Sequence, residues 1–166
     1  MNGKHTNKAL FLDRDGVVNV DHGYLYEPEK FEFVDGVFSA CKAFVDAGYK
    51  LIIVTNQSGI GRGYYTEADF HALSNWVIAQ FAEHNITVSG IYFCPHHPNY
   101  NGQCNCRKPN PGMILKAKND LKIDLKQSIL VGDKNSDIDA GLNAGIEFQN
   151  CHLFKGDFSI IQKEYE

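Results

Sequence analysis

The sequence predicts an α/β fold, a Rossmann-like parallel sheet with helices on both faces. Short apolar runs alternate with segments of helical periodicity. Each apolar run also ends in a polar loop, and parallel strands buried on both faces read as continuous apolar runs.

The elements follow in order. Residues 9–12 form the first apolar run and read as a buried strand. Residues 34–47 carry Val37, Ala40, Cys41, Phe44 and Val45 at helical spacing, with Gly48 as the stop. A second strand is expected at 51–54. A helix begins near Thr66, where Thr66 and Asp69 have capping-box spacing, and Phe70, Leu73, Val77 and Phe81 form its apolar stripe. A third strand is expected at 91–93. Pro111 suits the first turn of a helix running to about Leu121, with Asn110 as its cap. A fourth strand at 128–131, a helix at 136–143 ending near Gly145 and a last strand near 151–154 complete the chain.

Length and composition restrict the function classes. The 166 residues suit one domain, 1–166, with a loop at about 94–106 inserted. Hydrophobic residues make up 43% and charged residues 22%, which argues against disorder. The net charge of −4 speaks against a nucleic-acid partner and means that any anion site must be built locally. No stretch reaches the roughly 20 apolar residues that span a bilayer, and the polar opening segment 1–8 lacks an apolar signal core. A cytoplasmic, monomeric protein with no membrane partner is expected. The connections at 16–35 and 94–110 span about 20 and about 17 residues, too few for a separate lid domain.

In open parallel sheets, ligands bind at the carboxyl ends of the strands, so the polar residues there should converge. The first strand ends in Asp13-Arg14-Asp15-Gly16. An extended chain would set Asp13 and Asp15 on one side and Arg14 on the other. Two neighbouring carboxylates repel and call for a cation or a shared proton, although a solvated turn would also accommodate them. The second strand ends in Thr55-Asn56-Gln57-Ser58-Gly59, small donors that suit an anion or an ordinary polar loop. The fourth ends in Gly132-Asp133-Lys134. Asp137 reads as a cap for the helix that follows, and Asp139 as part of a solvated face. Lys108, in Arg107-Lys108-Pro109, could neutralise charge and hold a phosphate oxygen.

A second constellation involves softer ligands. Cys94-Pro95-His96-His97 and Cys104-Asn105-Cys106 lie within 13 residues and fit a tetrahedral Zn²⁺ site. The preferred ligands are Cys94, His96, Cys104 and Cys106, with His97 as an alternative to His96; free thiols in a loop are the bland alternative. Four protein ligands leave no position for water, which makes this a structural metal that would steady Arg107 and Lys108. Cys41 and Cys151 read as small core residues.

Taken jointly and in order, Asp-x-Asp-Gly, Thr-Asn, Lys-Pro and Gly-Asp resemble the haloacid dehalogenase superfamily over about 9–145. The resemblance implies a capless phosphatase using Mg²⁺ held by Asp13, Asp133 and the Asp15 backbone carbonyl. It also implies that Asp13 is the nucleophile and Asp15 the acid and base, with Thr55, the Asn56 backbone and Lys108 stabilising the phosphoryl group. Asn19 to Tyr24, Phe31-Glu32-Phe33, the Cys-Pro-His-His loop and Cys-Arg-Lys-Pro are further similar to the heptose bisphosphate phosphatase family. That implies a small phosphorylated sugar as substrate. It also implies substrate contacts from Asp21, His22, Gly23, Tyr24, Thr55, Asn56, Gln57, Ser58, Arg107, Lys108 and Lys134, with Arg107 on the phosphate that is not cleaved. A histidinol-phosphatase is the nearest rival, and a non-catalytic zinc-stapled binding module the rival of another class.

Overall fold

The computed structural model describes residues 5–166; residues 1–4 of the polar opening segment lie outside the described residues. Five parallel strands form one sheet in the order β3-β2-β1-β4-β5: β1 Lys8–Leu12, β2 Tyr49–Asn56, β3 Val88–Cys94, β4 Ile129–Gly132 and β5 Cys151–Leu153. The chain builds outward from β1 to β3, then returns to β1's other edge to add β4 and β5. The order therefore reverses between β1 and β4, the switch point at which such sheets bind ligands.

Strand β1 shows why the sheet is covered on both sides. Successive side chains point to opposite faces. Leu10 and Leu12 join Leu51, Ile53 and Val131 in one core, with Val37, Ala40 and Phe44 of α1 (Val37–Asp46) and Leu73, Val77 and Phe81 of α3 (Glu67–Glu83). Ala9 and Phe11 join Ile52, Val54 and Leu130 in the other, with Met113, Ile114 and Ala117 of α5 (Gly112–Leu121) and Ala140 of α6 (Asn135–Ala144). Full burial of one such aliphatic or aromatic side chain contributes about 1.5–3 kcal/mol, so both layers hold the sheet. Three short helices complete the fold: α2 (Ser58–Gly61), α4 (Pro98–Asn101) and α7 (Phe158–Lys163).

Several local signals act where the sequence places them. The Thr66–Asp69 capping box forms, with the Asp69 amide 3.0 Å from Thr66 Oγ1 and the Thr66 amide 2.9 Å from Asp69 Oδ2. Gly145 ends α6 in the left-handed region at φ 115°. Several boundaries differ from expectation: β2 and β3 each run four residues longer than predicted, and two helix starts change. Helix α1 starts at Val37, three residues later than predicted, because Gly36 turns the chain at φ 83° immediately before it. Asn110 does not cap α5: Pro111 holds the cap position, and the Asn110 side chain donates to the Cys104 carbonyl at 2.8 Å. Among the described residues, no helix is long and apolar enough to cross a membrane.

Candidate active site

The strand ends converge as the topology requires. Asp13 follows β1 and Asp133 follows β4, and the Asp13 amide donates to the Val131 carbonyl at 3.1 Å, tying the two exits together. Asp137, in the first turn of α6, faces the same point. Carboxylate oxygens of Asp13, Asp133 and Asp137 lie within 4.8 Å of one another. Asp137 does cap its helix, accepting from the Asp133 and Lys134 amides at 3.1 Å each. Its other oxygen takes Lys108 Nζ at 2.5 Å, a contact that capping alone did not suggest.

Lys108 occupies the centre. Its ammonium donates to Asp13 Oδ1 at 2.8 Å, to the Val54 carbonyl at 3.1 Å and to Asp137, so all three protons are used. The loop bearing it is gripped from β2: the Lys108 amide donates to Asn56 Oδ1 at 3.0 Å, and Asn56 Nδ2 reaches back to the Lys108 carbonyl at 3.5 Å. Burial alone would lower the Lys108 pKa, but Asp13 and Asp137 outweigh it and raise it. Burial pushes the Asp13 carboxyl up to about 8, against the opposing pull of Lys108. Asp133 is raised as well, first by burial.

Three carboxylates around one ammonium leave two negative charges uncompensated. Asp133 Oδ1 is buried and has no hydrogen-bond partner among the described residues. A buried charged oxygen without a partner is expensive, and a divalent cation with hard oxygen preference would relieve both deficits. The donor set therefore fits Mg²⁺.

Asp15 projects into the same cavity but is held apart from the cluster. Arg14 Nη2 donates to its Oδ1 at 2.9 Å, Asn19 Nδ2 to the same oxygen at 3.0 Å, and Gln57 Nε2 to Oδ2 at 3.1 Å. Arg14 is not on the cavity wall that Asp13 and Asp15 share; its buried guanidinium reaches Asp15 and also donates to the Leu25 carbonyl at 3.0 Å. Asn19 and Tyr65 were not singled out as functional in the sequence. Tyr65 donates to Gln57 Oε1 through its hydroxyl, which turns the Gln57 amide nitrogen toward Asp15 and toward Thr55 Oγ1, 2.8 Å away. Asn19 opens the Asn19 to Tyr24 motif but carried no role there, and nothing in the local pattern marks Tyr65; only the fold places them.

The cavity above the cluster has a volume of about 500 Å³. Its wall includes Asp13, Asp15, Asp21, Gly23, Tyr24, Asn56, Gln57, Ser58, Arg107, Lys108 and Lys134 among the expected residues. Thr55 lies buried just beneath that wall. His22 is not part of it: the imidazole sits 3.3 Å from Glu32 in an adjoining groove on the outer side of the loop.

At the other side of the mouth, Cys94, His96, Cys104 and Cys106 gather. Cys94 Sγ lies 3.6 Å from Cys104 Sγ and 2.8 Å from Cys106 Sγ, and His96 Nδ1 is 3.5 and 3.3 Å from Cys94 and Cys106. Sulfur atoms at tetrahedral corners of a zinc ion with bonds near 2.3 Å would stand about 3.8 Å apart, so the four side chains could hold a metal after small adjustments. His97 turns away and uses Nδ1 to accept the Asn99 amide at 3.1 Å, capping α4. Burial would raise the Cys104 thiol, but backbone donors at Arg107 and Cys106 bring it down to about 6, poising a thiolate for a cation. Arg107 Nη1 bonds the His96 carbonyl at 3.3 Å, connecting this cluster to the cavity wall.

Comparison with known proteins accords with this geometry. A family model described as HAD-hydrolase-like matches residues 105–149. The chain is 54% identical over 145 residues to a D-glycero-alpha-D-manno-heptose-1,7-bisphosphate 7-phosphatase from Burkholderia mallei, covering 84% of this chain and 77% of that protein. It is 48% identical over 143 residues to the D-glycero-beta-D-manno-heptose-1,7-bisphosphate 7-phosphatase of Escherichia coli, covering 83% and 75%. Among solved structures, D,D-heptose 1,7-bisphosphate phosphatase from B. bronchiseptica, complexed with magnesium and phosphate, superposes with a TM-score of 0.82 at 28% identity, over 95% of this chain and 97% of that one. These relationships and the carboxylate cluster agree: the chain belongs to the D-glycero-D-manno-heptose-1,7-bisphosphate 7-phosphatase family of HAD-like hydrolases.

Proposed function

We propose that this chain removes the 7-phosphate of D-glycero-D-manno-heptose 1,7-bisphosphate through an aspartyl-phosphate on Asp13. The observation that carries the reading is the Asp13–Asp133–Asp137 cluster around Lys108 at the sheet's switch point, with one carboxylate oxygen buried and unpartnered. Asp13, Asp133 and the Asp15 backbone carbonyl would hold Mg²⁺. When bound, the ion would offset the repulsion between a carboxylate nucleophile and a phosphate dianion.

This chain's own residues carry the remaining steps. Asp13 attacks phosphorus, and Asp15 delivers a proton to the leaving sugar oxygen. Asp15 then takes a proton from the water that attacks the aspartyl-phosphate, which releases inorganic phosphate and restores Asp13. The Arg14, Asn19 and Gln57 hydrogen bonds fix the Asp15 carboxyl in place for both roles. Lys108, Thr55 and the Asn56 backbone stabilise charge on the transferring group. Arg107 and Lys134, on the wall, suit the second phosphate and the sugar hydroxyls. Cys94, His96, Cys104 and Cys106 would hold a structural Zn²⁺.

Phosphate release from both heptose bisphosphate anomers and from histidinol phosphate, measured side by side, tests the substrate. A clear preference for heptose bisphosphate is expected; a preference for histidinol phosphate would overturn the assignment.

The cluster's geometry makes a further expectation. Gly16 sits at φ 98°, and a Cβ there would lie 2.0 Å from Asp133 Oδ2 and 2.5 Å from Asp133 Cγ. Gly16→Ala must move Asp133 and also accept a left-handed backbone that costs about 1–2 kcal/mol. Turnover should fall at least about tenfold, with a raised Mg²⁺ requirement, in a magnesium titration of phosphate release. An unchanged magnesium dependence would mean that Asp133 does not hold the ion.

A further inference from the structure

Arg62 forms the centre of an aromatic clasp at the cavity mouth. Its guanidinium lies 5.7 Å from the Tyr24 ring centroid, 5.4 Å from Tyr64 and 5.6 Å from Tyr100. Nη1 donates to the Tyr24 hydroxyl at 2.7 Å, and Tyr24 packs edge-on against Tyr64 with centroids 4.7 Å apart. The three rings come from three separate segments. Tyr24 belongs to the loop after β1, Tyr64 to the turn between α2 and α3, and Tyr100 to α4 within the cysteine–histidine loop.

Two features give this clasp a task. Tyr24 has φ 49°, a left-handed conformation that non-glycine residues adopt at a cost, directly after Gly23 at φ 76°. Something must hold it there, and Arg62 supplies both a hydrogen bond and ring contacts. Second, Tyr24 lines the cavity whereas Arg62 does not. The cation is therefore placed to act on the substrate through Tyr24 and not by direct contact. The end of α2 is itself seated on the metal-binding loop: the Gly61 amide donates to the Pro95 carbonyl at 2.8 Å, and a Cβ on Gly61 would meet Asn101 Oδ1 at 2.1 Å.

We propose that Arg62 is a positioning residue for substrate selection, pinning Tyr24 and its loop across the cavity mouth so that a sugar carrying a second phosphate is retained. This rests on the sugar-bisphosphatase reading above. The clasp ties the Tyr24 loop to the cysteine–histidine loop, so the two form one rim. Arg62 stabilises the bound substrate and the transition state alike, so its loss falls on KM and leaves kcat little changed.

The test compares wild type, Arg62→Ala and Arg62→Lys on heptose bisphosphate and on p-nitrophenyl phosphate, which has neither sugar nor second phosphate. Arg62→Ala should lower kcat/KM for the bisphosphate about tenfold, chiefly through KM, and for the nitrophenyl ester less than threefold. Arg62→Lys, which keeps the charge among the rings, should be intermediate. Equal losses on both substrates, or an unchanged KM for the bisphosphate, would overturn the proposal. Amide hydrogen exchange across residues 21–26 separates this from the substrate assignment. Arg62→Ala should speed that exchange even if the preferred substrate proves to be another phosphate ester, and unchanged exchange would sink the clasp irrespective of substrate.

Discussion

Asp13→Asn is expected to lower turnover by about 10⁴-fold or more while leaving the fold intact. Asn presents no anionic oxygen to phosphorus, so the covalent route closes; a loss of this size corresponds to about 5.5 kcal/mol of transition-state stabilisation. Stability should not suffer. Asn has nearly the shape of Asp and keeps a carbonyl oxygen that can accept from Lys108 in place of Asp13 Oδ1. Lys108 keeps Asp137 and the Val54 carbonyl as partners. Phosphate release and thermal melting, measured on the same preparation, check both halves. Near-normal turnover in a confirmed variant would remove Asp13 as the nucleophile.

Cys106→Ala is expected to have the largest effect on stability. Elemental analysis should find one zinc per wild-type chain and none in the variant. A closed four-ligand site contributes folding free energy directly. Losing one ligand should cost at least about 3 kcal/mol, a fall of roughly 6–12 °C in melting temperature for a chain of this size. Activity should fall with it, because Arg107 and Lys108 follow Cys106 directly in the chain and Arg107 hangs on the His96 carbonyl. A zinc-free protein of unchanged stability and activity would refute the structural metal.

The architecture and the strand-end chemistry were legible in the sequence because each depends on local pattern. Continuous apolar runs marked the parallel strands, and the Asp, Thr-Asn and Gly-Asp punctuation marked where they stop. Less legible were contacts whose partners lie far apart in the chain. Asp137 read as a helix cap and is one, but its second oxygen serves Lys108, 29 residues away. Its place four residues after Asp133, in the helix's first turn, is the signal that could have found it. Arg14 stays off the cavity wall that Asp13 and Asp15 share, but its bond to Asp15 could not be read from alternation, because the chain turns there, with the Val17, Val18 and Asn19 amides closing on the Arg14 carbonyl. Asn110 lost the capping role to Pro111 because its amide is drawn to the Cys104 carbonyl. Tyr65 gave no signal, since its partner Gln57 is oriented only by the folded loop.

The strand order has a consequence for how activity is acquired during synthesis. Asp13 is made early, but its partner strand β4 pairs with β1 across more than a hundred intervening residues. Such distant pairing is slow and entropically demanding. A nascent chain released before Gly132 could pair β1 with β2 and β2 with β3, yet it would lack the acidic residues that follow β4. Recovery of enzymatic competence on refolding should therefore lag behind the appearance of secondary structure, and it would report on the docking of the late-synthesised half of the sheet.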